Sequence, residues 1–114
     1  MSEFDQKKNT NIISVTELNT SAKKLLEKDF SSIWVSGEVS NFRSYDSGHW
    51  YFKIKDENSE LQCVMFKFRN NSINKRPVDG DNLILKGSIS MYVARGSYQF
   101  QVDQIEYAGE GVLL

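Results

Sequence analysis

The residues of this 114-residue chain that could do covalent or metal chemistry are few: one histidine, one cysteine and a short cluster of carboxylates. A lone His49 excludes a zinc site built on paired imidazoles, and a lone Cys63 excludes an internal disulfide framework and any multi-thiolate cluster. A Cys63–His49 pair could form across neighbouring strands. Cys63 lies in the apolar run LQCVMF, however, where a small buried thiol is far commoner than a nucleophile. Asp56, Glu57 and Glu60 crowd the stretch DENSE, whose composition is that of a tight polar turn and needs no metal to explain it. No Gly-rich phosphate loop is present. These residues describe a domain that is not by itself an enzyme, and neither a metal nor a cofactor is expected.

Binding chemistry is better represented. In SGHWYFKIK, residues 47–55, three rings and the only histidine are consecutive and two lysines follow. A period of two divides the stretch, placing Trp50, Phe52 and Ile54 on one face and His49, Tyr51, Lys53 and Lys55 on the other. The first face is core material. On the second, a ring among cations is what a single nucleic-acid strand requires: bases stack on the ring and ammonium groups follow the phosphates. From this strand alone an ordinary amphipathic surface explains the pattern equally well. Further pairs of aromatic and basic residues tip the balance. Phe42 and Arg43 fall in the expected loop between the first and second strands, Lys67 and Arg69 end the third, and Tyr92, Arg95 and Tyr98 surround the last hairpin. The candidate nucleic-acid-binding residues are therefore Phe42, Arg43, His49, Tyr51, Lys53, Lys67, Arg69, Tyr92, Arg95 and Tyr98.

The elements that must position these residues follow from periodicity. Residues 1–13 are polar and read as a flexible arm. Ser14 and Glu17 have capping-box spacing, with Thr16 a competing cap, and open a helix over 14–28. Its apolar stripe of Val15, Leu18, Ala22, Leu25 and Leu26 is expected to pack on the end of a sheet. From Phe30 onward the period becomes two, and IWVSGEVSNF alternates Val35, Gly37 and Val39 against Trp34, Ser36, Glu38 and Ser40. Four further strands are expected: HWYFKIK (49–55), LQCVMFKF (61–68), NLILKGSISMYV (82–93) and SYQFQVDQIEYA (97–108). The connector over 69–81 has room for a short helical turn before Pro77. Five strands, with Gly37 and Gly87 at tight bends, suggest a small barrel preceded by a helix. The mainly β fold expected is an OB-fold, a five-stranded Greek-key barrel whose strands two and three and flanking loops bind oligonucleotides; an SH3-like barrel is the alternative.

Bulk properties agree with a single domain able to bury a core without staples. The net charge of −1 gives no general attraction to a polyanion, but its distribution is uneven. Between Phe42 and Arg76 lie seven cations (Arg43, Lys53, Lys55, Lys67, Arg69, Lys75 and Arg76) against Asp46, Asp56, Glu57 and Glu60. No apolar run approaches a membrane span and no secretory h-region is present, so no membrane contact and a cytoplasmic location are expected.

Several motifs in order then carry a family likeness: GEVSNF (37–42), SGHWYF (47–52) followed by Lys55-Asp56, Val64-Met65-Phe66, and Gly109-Glu110-Gly111. From about Ile13 to the last residue the chain resembles the N-terminal domain of exodeoxyribonuclease VII large subunits. The resemblance implies an OB-fold over 14–114 that holds single-stranded DNA for a catalytic domain absent from this chain. It implies a partner too, the family's small subunits, recruited through regions outside the chain; no catalytic residue carries over. Two other classes stay open: a protein-interaction module docking on the catalytic domain or another subunit, and a tRNA anticodon-binding domain. Self-association of the isolated domain, through strand edges or helices that the missing domains would cover, is a further expectation.

Overall fold

The five expected strands form, and they close on themselves. The computed structural model describes residues 11–108, so most of the expected arm and the Gly109-Glu110-Gly111 motif lie outside the described residues. The strands are β1 (Ile33–Ser44), β2 (Trp50–Lys55), β3 (Glu60–Met65), β4 (Asn82–Tyr92) and β5 (Ser97–Tyr107). They make a closed barrel in the order β1-β2-β3-β5-β4. Every pairing is antiparallel except that of β3 with β5. Closure removes the open edges that a five-stranded sheet would otherwise expose. This is the OB-fold topology, preceded by a helix.

The two-residue period does what it promised. Along β2 the even residues Trp50, Phe52 and Ile54 are buried, while Tyr51 and Lys55 are exposed. They meet Val39, Met65, Leu83, Leu85, Phe100 and other inward residues in one core. Burying one such side chain stabilises a fold by about 1.5–3 kcal/mol. Two glycines let the barrel bend. β1 pairs with β4 through Glu38 and with β2 from Glu38 onward. At that changeover, a Cβ on Gly37 would sit 3.0 Å from the Ile54 Cβ. At Gly87 the approach is closer still: a Cβ would fall 2.2 Å from the Gln101 carbonyl oxygen. The β4–β5 register slips at the same place, Lys86 facing Gln104 and Gly87 facing Val102.

Helix α1 (Val15–Asp29) begins as expected. Ser14 Oγ accepts from the Glu17 N–H at 3.0 Å and Glu17 Oε1 accepts from the Ser14 N–H at 2.9 Å, a complete capping box. Its apolar stripe corrects the expectation. Leu26 packs against the core, but Val15, Leu18 and Leu25 are exposed. The helix is held instead by polar contacts to the β4–β5 hairpin. Asn19 Nδ2 donates to the Val93 carbonyl at 2.9 Å, and Glu27 accepts from the Met91 N–H at 3.3 Å. No described helix is long and apolar enough to cross a membrane.

Candidate functional site

A bulge in β1 decides what the outer face presents. Ser40 faces Lys53, but Arg43 faces Tyr51, so β1 carries one more residue than β2 across this interval. Asn41 takes up the irregularity at φ +54°, a conformation that Asn adopts more readily than most residues. The side chains beyond it are re-aimed. Phe42 turns inward, its ring centroid 5.4 Å from Trp50 and 5.8 Å from Phe52. Phe42 and Arg43 therefore belong to a strand, not the loop expected, and Phe42 is half-buried against the core. Arg43 stays exposed beside Tyr51.

Register then lines up a row of Arg43, Tyr51, Val64 and Gln101 across β1, β2, β3 and β5; Arg43 and Tyr51 are exposed and Gln101 half-buried, whereas Val64 is buried. At one end is a shallow groove lined by Arg43, Tyr45, Tyr51, Lys53 and Gln62. The Tyr45 ring meets Tyr51 edge-on, centroids 5.4 Å apart. At the other end Gln101 joins Phe66, Met91, Tyr92 and Gln99 in a second groove. Val64, buried between them, pairs in register with Tyr51 on one side and Gln101 on the other.

Beyond β3 the expected strand does not continue. LQCVMFKF alternates convincingly, yet β3 ends at Met65, and Lys67–Asn70 form a single helical turn, α2, earlier than the turn expected within 69–81. The reason is a set of hydrogen bonds no strand could supply. The Lys67 N–H donates to His49 Nδ1 at 3.0 Å. The buried Asn70 side chain donates to the Gly48 carbonyl at 2.9 Å and the Met65 carbonyl at 3.0 Å. Lys67 and Arg69 thus project from a turn pinned to the β1–β2 connection. Its rings form a run: His49 edge-on to Phe66 at 5.2 Å, Phe66 nearly parallel to Phe68 at 6.1 Å, and the Arg69 guanidinium 5.2 Å over Phe68.

The charges on this face are lightly held. Lys53 pairs with Glu60 at 3.0 Å and Arg69 with Asp103 at 3.4 Å, both in solvent contact. Exposed pairs contribute only about 0–1 kcal/mol, so a phosphate can replace the carboxylate at little cost. A wider groove of about 790 Å³, lined in part by Trp34, Glu38, Lys55, Asp56 and Glu57, carries three carboxylates against one lysine, the wrong balance for a polyanion. Burial pushes the Cys63 thiol up to about 12, and its Sγ faces the Leu61 carbonyl at 3.7 Å. Backbone N–H groups of Asn58 and Ser59 hold Asp56 below the usual carboxylate range, as expected of a turn former.

Of the ten sequence candidates, Arg43, Tyr51 and Lys53 are brought together in one groove. Tyr92 lines the second. Lys67 and Arg69 lie on α2, and His49 braces that turn. Arg95 and Tyr98 are exposed at the β4–β5 hairpin, and no described contact joins them to Tyr51. Sequence reasoning missed Tyr45, Phe66 and Phe68. Tyr45 sits in a turn-like segment, and the alternation of Phe66 and Phe68 with Lys67 and Arg69 imitates a strand; the cluster Asn70-Asn71-Ser72 was the available stop signal.

Comparison with known proteins places these features in context. A family model described as an OB-fold nucleic acid binding domain matches residues 13–106. The exodeoxyribonuclease 7 large subunit of Shewanella denitrificans is 46% identical over 103 residues, 90% of this chain and 23% of that protein. The chain thus spans about a quarter of the length of such a relative. Among solved structures, a putative aspartyl-tRNA synthetase from Leishmania major aligns over 88% of the chain and 21% of its own, with 14% identity and a TM-score of 0.57. Rim1, a mitochondrial single-stranded DNA binding protein of S. cerevisiae, aligns over 73% of the chain and 99% of its own, with 13% identity and a TM-score of 0.54. At these identities the structural likenesses establish the fold.

Proposed function

We propose, from the premise that the chain belongs to the family of OB-fold nucleic acid binding domains, that it holds single-stranded DNA for the hydrolytic part of an exodeoxyribonuclease large subunit. The observation that carries this reading is the exposed pair Arg43 and Tyr51, with Lys53 beside Tyr51, joined in strand register through the buried Val64 to the half-buried Gln101, with a groove at each end. A ring set between cations on a barrel wall lets bases stack while phosphates meet positive charge, without demanding a sequence. The remainder of such an enzyme would supply hydrolysis and the surface for its small subunits, in the cytoplasm, during DNA repair and recombination.

Fluorescence anisotropy of the 114-residue chain with labelled oligo-dT at low salt tests the reading. Tyr51→Ala is expected to weaken binding about 10-fold, within the range of ~1–3 kcal/mol per stacked base, and Lys53→Ala to weaken it less. Unchanged affinity in both variants would contradict the proposed face. The same titration with oligo-U separates a tRNA-binding role, because only RNA offers a 2′-hydroxyl. A protein-docking reading is favoured by one observation, the exposed Val15, Leu18 and Leu25 on α1. It concerns another surface and is compatible with DNA on the barrel wall.

A further inference from the structure

Phe68 is 69% exposed, more than Tyr51, Tyr92 or any other strongly exposed ring among the described residues. A single exposed apolar side chain is unremarkable in itself. Three observations set this one apart.

First, the turn that carries it is rigidly mounted. His49 Nδ1 and the two carbonyls bound by Asn70 fix α2 at both ends against the β1–β2 connection and β3. Second, the ring is oriented before any ligand arrives. It lies 9° from parallel to Phe66 and beneath the Arg69 guanidinium, which Asp103 restrains in turn. Third, it stands where the proposed path leads. Phe66 lines the groove that Gln101 and Tyr92 share, and Gln101 is two strands from Tyr51 in the same register row, with the buried Val64 between them. Lys67 and Arg69 flank Phe68 in sequence, both exposed, and supply positive charge on either side.

We propose that Phe68 is a stacking platform for one nucleobase of a single strand that also crosses Tyr51, with Lys67 and Arg69 meeting the neighbouring phosphates. The inference rests on the single-stranded DNA reading above and extends it to a distal subsite on α2. Phenylalanine has no hydroxyl to offer a base edge, so the subsite accepts any base, with larger purine faces favoured. Pre-orientation by Phe66 and Arg69 lowers the ordering cost of binding, which is how a rigid platform gains affinity over a mobile one.

The test compares a short and a long oligomer, dT5 and dT12, on the unmodified 114-residue chain and on Phe68→Ala, Phe68→Trp and Tyr51→Ala. Phe68 is a surface residue, and equal melting temperatures would show that its variants fold. Phe68→Ala should weaken dT12 about 10-fold and leave dT5 within twofold. Phe68→Trp should restore or tighten dT12 binding, and Tyr51→Ala should weaken both oligomers. Equal loss for dT5 and dT12 in Phe68→Ala, or no loss for dT12 while Tyr51→Ala still weakens both, would overturn the distal platform alone. Failure of the unmodified chain to bind either oligomer would remove the single-stranded DNA reading and the platform with it.

Discussion

At the scale of single residues, the types that look chemically active have structural contacts, and the residues proposed to bind are ordinary in kind. His49 accepts a backbone hydrogen bond, and Cys63 is a buried core thiol. Because burial raises the folded thiol to about 12 from an ordinary value of 9.0, the thiol contributes full stability below pH 9. Above that the unfolded chain ionises first and stability falls. Cys63 should therefore resist iodoacetamide at pH 8 in the native protein and react on unfolding; rapid native alkylation, followed by mass spectrometry, would contradict its burial. Asn70 is the more consequential polar residue. Asn70→Ala leaves the Gly48 and Met65 carbonyls without their donor and should cost about 1–3 kcal/mol, read as a lower midpoint in urea. Tyr51 and Lys53 were legible from strict alternation. Phe42 was not, because a single extra residue at Asn41 reverses which way its neighbours point and leaves no mark in composition.

At the scale of elements, period two located the strands because β1, β2, β4 and β5 alternate between the core and more exposed positions, whereas β3 is buried on both faces from Cys63 to Met65 and was found from its apolar run. It failed at the end of β3, where Phe66 and Phe68 keep the rhythm while tertiary hydrogen bonds turn the chain into α2. It failed differently at α1, whose stripe promised burial that the barrel does not provide. The helix touches the hairpin along one edge, through Asn19, Leu26 and Glu27. This makes its docking acid-sensitive. The hydrogen bond from Lys23, helped by the Met91 N–H, holds Glu27 below its ordinary value. A carboxyl depressed on folding stabilises the folded state above its unfolded value of 4.5, and that stability is lost as pH falls through the lower folded value. The protection of α1 amides, with exchange corrected for its intrinsic pH dependence, should therefore fall below pH 4.5 before the barrel melts, and Glu27→Gln should flatten that dependence. Gly87→Ala tests barrel closure. Its Cβ would collide with backbone rather than a yielding side chain, so a loss of several kcal/mol or failure to fold is expected, where a surface Gly→Ala change would be nearly neutral.

At the scale of the whole molecule, a net charge of −1 hides two unlike surfaces. Arg43, Lys53, Lys67 and Arg69 accompany the rings on one, whereas Glu38, Asp56 and Glu57 border the groove beside Trp34 on another. Binding by the first should be salt-dependent, with log K falling at a slope of roughly −2 to −3 against log salt if three or four phosphates are neutralised, each contributing ~0.7. A slope near zero would mean that the cations do not meet phosphate. The central claim is that DNA lies on the Arg43–Gln101 wall, and amide chemical-shift mapping with oligo-dT tests it most directly. Perturbations are expected across residues 43–53, 62–69 and 90–101. Shifts confined to Trp34–Glu38, Asn82–Lys86 or the exposed face of α1 would contradict the account.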